Sequence, residues 1–218
     1  AHSFGSRYKG RCIGSFSDVV MFSFDPVKTF TSIDGGAIVV NKIQDMYKLH
    51  EMRLMGMSQK AKVMYKNQRT WFYDVKSLGF RYHLANLHAA IGVEQLKKIK
   101  IIKKTRKMAF KRYNNGLKFV NEIITPKYDK DTIPFHYCIR VKNNKKLNLI
   151  QFLKKNKIDT GIHWQPNHIF SLFKKTKSGD LSVTNKIKNE ILTLPFHSIM
   201  KKRDIDYIIS KIKEFYKK

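Results

Sequence analysis

The longest periodic stretch constrains this chain most. From Leu84 through Leu87, Ile91, Leu96, Ile99, Ile102, Met108 and Phe110 to about Leu117, apolar residues recur at helical spacing. A single helix of over 30 residues would run about 45 Å, too long for one layer of a small domain, so it predicts an element that leaves one domain and enters another. Gly116 and Pro126 close the element. We therefore expect a boundary within residues 110 to 130, with a first domain over 1–115 and a second over 116–218. Short apolar runs flank the periodic stretch. Val19 to Phe24 reads as a buried strand stopped by Asp25-Pro26, and Gly35-Gly36 leads into a second strand over 37–40. Helical spacing over 43–55 ends near Gly56, a C-cap residue. Residues 5–15 read as a hairpin or pair of turns and 57–74 as a loop. Further along, 135–141 predicts a strand and 147–156 a helix. Two more helices, 182–193 and 203–216, are separated by Leu194-Pro195-Phe196. Interleaved strands and helices make the class α/β. No internal repeat is visible.

The 218 residues, 42% of them hydrophobic, suffice for a sizeable core and exclude a disordered chain. No run approaches the roughly 18 apolar residues of a membrane helix, and AHSFGSRYKG lacks the apolar centre of a signal peptide. A soluble protein is expected. Because the chain starts on Ala1 and enters turn-rich sequence at once, we also expect a fragment or a processed product. Lys and Arg number 44 against 16 Asp and Glu, for a net charge of +28 and a pI near 10.1. An anionic partner would suit that field. The lysines are spread along the whole chain at the polar positions of amphipathic segments, which is also how a plain solvated surface looks. A nucleic-acid binder would draw further on Tyr65, Trp71, Phe72 and Tyr73 near lysines. The sequence has no helix-turn-helix glycine turn, zinc-ligand spacing or RNP aromatic pattern to go with them. Cys12 and Cys138 form neither a metal spacing nor a disulfide framework, so no metal is expected and a reducing, cytoplasmic setting is the simplest one.

The residues that carry chemistry lie just past the first strand. In Phe22-Ser23-Phe24-Asp25-Pro26-Val27-Lys28, one lysine follows the end of an apolar strand and precedes Gly35-Gly36. Placed in a cleft, such an amine is desolvated, its pKa falls, and it can attack a carbonyl to form a Schiff base. Ser23 can offer a hydroxyl to a phosphate. On these features alone, Lys28 reads equally as one more exposed lysine.

FSFDPVKTFTSIDGGAIVVN resembles the cofactor-lysine segment of the DegT/DnrJ/EryC1/StrS sugar aminotransferases, which use pyridoxal 5'-phosphate. AHSFGSRYKGRCIGSFSD, RLMGMSQKA, LGFRYHLANLHAAIGVEQL, FHYCIRV, KIDTGIHWQPNH and ILTLPFHSIM are similar to further family segments in the same order. Seven ordered blocks cover nearly the whole chain. The resemblance implies the C-terminal part of a PLP-dependent transferase fold: the end of a large cofactor domain, a connecting helix and a small α+β domain.

It also implies roles. Lys28 is the Schiff-base lysine, and a lysine there goes with transamination, because relatives that deoxygenate the sugar carry histidine. Ser23 contacts the cofactor phosphate and His2 lies beside its ring. His163 falls in a block that reaches the substrate mouth, although a half-buried strand histidine fits the same residue. The Arg81 and His83 segment matches one that reaches a partner subunit's cofactor phosphate, where the family usually has asparagine; a homodimer follows. The implied substrate is a nucleotide-linked keto sugar, with glutamate as amino donor. Asp25 and Thr29 depart from the family's usual His or Asn and Asn. The family's ring-nitrogen aspartate falls two positions ahead of Ala1, so the chain on its own is expected to be inactive. A basic nucleic-acid-binding protein and a non-catalytic remnant are the alternatives.

Overall fold

The computed structural model describes residues 1–58 and 73–217. Most of the loop expected at 57–74, with Tyr65, Trp71 and Phe72, lies outside the described residues; Tyr73 is exposed. The chain forms two compact units, Ala1–Ile99 and Lys100–Lys218.

In the first unit, β1 (Arg7–Tyr8) and β2 (Arg11–Cys12) form a small antiparallel hairpin, and β3 (Val19–Ser23) pairs with β4 (Gly36–Val40) in the register Met21↔Ile38 and Ser23↔Gly36. Of β3, Phe22 alone is buried, whereas Val19 and Met21 are 58% and 65% exposed and Ile38 opposite is 52% exposed. The reading of 19–24 as a buried strand is therefore corrected. An unbroken apolar run predicts cover on both faces, and the described residues of this unit cover only the Phe22 face. Helix α1 (Ile43–Arg53) ends where the Gly56 amide donates to the Glu51 carbonyl. Gly56 is held at φ +78°, and a Cβ there would collide with the Ser77 carbonyl, so glycine is required. This close approach ties residues 52–58 to the extended segment 73–82, through Phe80 N–H to the Met52 carbonyl and Met55 N–H to the Phe80 carbonyl.

The long periodic element is two helices, α2 (Asn86–Lys97) and α3 (Ile99–Leu117). At Lys98 the amide donates to the Gln95 carbonyl three residues back, tightening the last turn and interrupting the helical ladder. The two halves also use their apolar residues differently. In α2 only Gly92 is buried, while α3 buries Ile102, Arg106, Ala109, Tyr113 and Leu117, a stripe at three- and four-residue steps. That stripe belongs to the core of the second unit, which is why the compact units divide ahead of the boundary expected at residues 110–130.

The second unit packs helices on a three-stranded antiparallel sheet of order β5 (Ile123–Ile124), β6 (Tyr137–Val141), β7 (Ile191–Leu194). Strand β6 alternates as a half-buried strand must, with Tyr137, Ile139 and Val141 at zero exposure. Helix α4 (Lys146–Lys155) buries Leu149 and Leu153, and α6 (Lys202–Lys217) buries Ile205, Ile208, Ile209 and Ile212 at one helical face. Full burial of each such side chain contributes about 1.5–3 kcal/mol. The helix expected over 182–193 stops early: α5 (Ser182–Glu190) gives way directly to β7. Ile191-Leu192-Thr193-Leu194 is short and β-rich, and pairing Tyr137–Arg140 with it buries three of its four residues.

Candidate functional site

The loop joining β3 to β4 is tightly cross-braced. Asp25 starts it, its Oδ1 accepting the Val27 amide (3.1 Å) and its carbonyl the Lys28 amide (3.0 Å). The Phe24 carbonyl accepts both the Ser32 amide and the Thr31 hydroxyl, and the Phe24 amide donates to the Gly35 carbonyl. Asp25 is thus spent on the turn. Under the loop lies an aromatic floor. Phe4 stacks on Phe30 at 4.5 Å and meets Phe22 and Phe24 edge-on. Helix α2 supports the same floor through Gly92, where a Cβ would come to 3.4 Å from Ser32 and 3.7 Å from Phe30.

On this support Lys28 is half-buried, and its Nζ lies 3.2 Å from Nε2 of His2. Two residues 26 apart that the sequence marked for one site are thereby brought together. Burial, then the neighbouring Lys28 charge, then the α-amino group hold the His2 imidazole below its ordinary pKa, favouring a neutral ring whose Nε2 can accept a hydrogen bond from Lys28 Nζ. Ser23 is half-buried at the end of β3, its Oγ 3.4 Å from the Asp25 amide that donates to it. Thr29 is buried, and its Oγ1 has no hydrogen-bond partner among the described residues. Arg81 and His83 are exposed on the segment bridged to Leu54, and neither hydrogen-bonds to Lys28, His2 or Ser23 among the described residues.

His163 belongs to the second unit. Its Nδ1 lies 3.0 Å from Thr193 Oγ1, and its ring stacks on His136 at 4.4 Å with Trp164 edge-on to both. Thr193 Oγ1 in turn lies 3.2 Å from Cys138 Sγ. Sequence reasoning singled out His163 and missed His136, Trp164 and Thr193. It also missed Arg106, which is 5% exposed and donates Nε to Ser198 Oγ and Nη1 to the Pro134 and Phe135 carbonyls. The available signal for Arg106 was its place in the apolar stripe four residues after Ile102. Among the described residues no group of three or more His, Cys, Asp or Glu side chains is placed to share a metal ion, and no helix is long and apolar enough to cross a membrane.

Similarity to known proteins extends over the whole chain. An uncharacterized protein of Methanocaldococcus jannaschii is 30% identical over 98% of this chain and 58% of its own length. The Bacillus subtilis spore coat polysaccharide biosynthesis protein SpsC is 29% identical over 100% of this chain and 58% of its own length. A Campylobacter jejuni UDP-4-amino-4,6-dideoxy-N-acetyl-beta-L-altrosamine transaminase is 29% identical over 99% of this chain and 59% of its own. Among solved structures, Helicobacter pylori PseC, an aminotransferase of pseudoaminic acid biosynthesis, superposes with a TM-score of 0.90 at 23% identity, over all of this chain and 58% of that one. At that identity the likeness speaks for the α/β fold alone. The Streptococcus pneumoniae sugar aminotransferase Spr1654 in its PMP form gives 0.86 at 27% identity, over 100% of this chain and 57% of its own. The chain thus spans somewhat more than half the length of the relatives it matches. The model of the DegT/DnrJ/EryC1/StrS aminotransferase family matches residues 1–213, and the chain belongs to that family.

Proposed function

We propose that this chain carries the lysine-bearing part of an aminotransferase site that converts a keto group on a nucleotide-linked sugar to an amine, with pyridoxal 5'-phosphate held at Lys28 and glutamate as amino donor. The observation that carries the reading is the 3.2 Å approach of Lys28 Nζ to a His2 ring biased toward neutrality, on a loop braced at both ends. The donor set suits the cofactor: an amine for its carbonyl carbon, a half-buried Ser23 hydroxyl for its phosphate and an imidazole beside the amine. When bound, the cofactor supplies an electron sink for the carbon that loses its proton.

The protein's own part is positional and acid–base. Lys28 can bond to a carbonyl only as the free amine, and His2 Nε2 is close enough to accept a hydrogen bond from Nζ and orient it. With its Nζ unbonded, Lys28 would be the base that moves a proton at the substrate α-carbon. The Phe4, Phe22, Phe24 and Phe30 floor keeps the loop from yielding as Nζ changes partners. Arg81 and His83 are exposed, which suits contact with an anionic group presented by a second copy, so a homodimer with phosphate contacts from these residues is part of the proposal, as is a cytoplasmic setting that keeps Cys12 and Cys138 as thiols. His163 is the substrate-side residue of the second unit.

Borohydride reduction of the protein loaded with pyridoxal phosphate, followed by peptide mapping, should fix the cofactor on Lys28. Lys28→Arg keeps the charge and should abolish that fixation. Recovery of the label on another lysine would overturn the assignment.

A further inference from the structure

Strand β7 places one hydroxyl, with a single proton to give, between a thiol and an imidazole nitrogen. Thr193 is 6% exposed, and its Oγ1 lies 3.2 Å from Cys138 Sγ and 3.0 Å from His163 Nδ1. A hydroxyl donates once and can accept twice; with no third partner for Thr193 Oγ1 among the described residues, its own proton is used only if it goes to one of these two groups. Two directions are open. If His163 Nδ1–H donates to Thr193, the hydroxyl must donate to sulfur, a weak acceptor, and the thiol proton is left without a use in the cluster. If instead the Cys138 thiol donates to Thr193 Oγ1, the hydroxyl donates to a bare Nδ1, a strong acceptor, and all three groups are satisfied. Burial pushes the Cys138 thiol up in pKa, which keeps its proton in place for that second direction.

The ring is held for the same purpose from other sides. Gly161 exchanges both backbone hydrogen bonds with Thr193, 3.0 and 2.8 Å, so the Thr193 hydroxyl and the turn into His163 are fixed to each other. A Cβ at Gly161 would fall 2.5 Å from His163 Cε1 and 3.1 Å from Nδ1, so the imidazole occupies the space that only glycine leaves. His136 stacks against the imidazole at an interplanar angle of 21°. Among the described residues Nε2 of His163 has no hydrogen-bond partner.

We propose that a relay from the Cys138 S–H through the Thr193 O–H to His163 Nδ1 locks His163 as the Nε2–H tautomer, making it a fixed N–H donor for a phosphate oxygen of the nucleotide-linked substrate. A phosphate oxygen is the matching partner because it only accepts, whereas a sugar hydroxyl can meet either tautomer. Cys138, Thr193 and Gly161 are then positioning residues that act through His163. The ligand half of the inference rests on the reading that His163 faces the substrate; the tautomer half does not.

Two-bond proton–nitrogen correlation spectra of the full chain labelled at histidine nitrogens, with His163 assigned by loss of its signals in His163→Gln, read the tautomer directly. The expected pattern at a pH where the ring is neutral is a protonated Nε2 and a bare Nδ1. Thr193→Val should convert it to a mixture of tautomers, Thr193→Ser and Cys138→Ser should keep it, and Gly161→Ala should shift the ring signals while leaving the backbone signals of β6 and β7 in place. Titration with UDP should then move the Nε2 resonance, and, in an active enzyme that carries this part, Thr193→Val should raise KM for the nucleotide-sugar about tenfold or more with little change in kcat. A protonated Nδ1 in the wild-type chain would overturn the relay. An Nε2–H tautomer indifferent to UDP would overturn the phosphate assignment, whereas failure to trap cofactor on Lys28 would sink the enzymatic reading and leave the tautomer result standing.

Discussion

Replacing Arg106 by methionine sets two large effects against each other, and their sizes decide the outcome. The guanidinium is buried on α3 with no carboxylate within ion-pair distance among the described residues. Desolvation lowers its pKa from the ordinary arginine range to about 10. That depression corresponds to roughly 3 kcal/mol of cost for keeping the charge inside. Because the folded pKa is lowered, the cost is fully present at every pH below about 10 and is relieved only as pH rises from there. Against it stand hydrogen bonds from a charged donor to Ser198 Oγ (3.1 Å), the Pro134 carbonyl (3.2 Å) and the Phe135 carbonyl (2.9 Å), each contributing about 1.5–3 kcal/mol. The guanidinium carbon also lies 5.5 Å from the centre of the Phe196 ring, a further attraction of about 1 kcal/mol. Methionine fills much of the volume and removes the burial cost, but leaves two carbonyls without their donor in a buried place. We expect Arg106→Met to lose about 2–4 kcal/mol. The assay is urea unfolding of the full chain followed by near-ultraviolet circular dichroism, since Tyr113 stacks on Tyr137 at 4.6 Å in the core of the same unit. A variant as stable as the parent, or more so, would show that the burial cost dominates and that the carbonyls find other donors.

His2 titrates below its ordinary 6.5 in the fold, because burial and the Lys28 charge disfavour the imidazolium, so the unfolded chain binds the proton more readily. Stability should therefore fall as pH drops through about 6.5, and His2→Gln should flatten that fall in a pH series of unfolding midpoints; an unchanged slope would remove the neutral-ring argument. The outer face of the β3–β4 ribbon, with Val19, Met21 and Ile38 largely exposed, should make the chain prone to associate. Met21→Lys with Ile38→Lys should sharply lower light scattering at equal concentration, and no difference from the parent would place the sticky surface elsewhere.

Local chemistry was legible in the sequence wherever a short-range rule fixed it. Asp25-Pro26 marked the turn after β3 and Gly56 the end of α1, and the helix expected over 203–216 is α6; all three appear in place. Membership of the family was legible too, because seven blocks in order carry more information than any one. What failed depended on neighbours distant in sequence. The apolar run of β3 could not disclose that one of its faces stays uncovered in its unit, and Ile191–Leu194 read as the end of a helix because its strand character comes from pairing with Tyr137–Arg140, some fifty residues earlier.

The same distinction separates the two halves of the candidate site. Lys28 and Ser23 lie on one strand and its turn, so spacing alone placed them near each other. His163 could be named from its segment, but its surroundings could not, since Cys138, His136, Gly161 and Thr193 come from three separate stretches of chain. A lone histidine on an apolar strand is a poor functional signal because most such residues simply satisfy themselves in a core. What distinguishes His163 is that one ring nitrogen is tied to a buried hydroxyl, itself in contact with a buried thiol, while the other has no protein partner among the described residues. A core histidine gains most by pairing both nitrogens inside, as buried polar groups generally do. In the proposed site, a half-buried ring paired on one side only, against a glycine that makes room for it, leaves its Nε2 for the ligand.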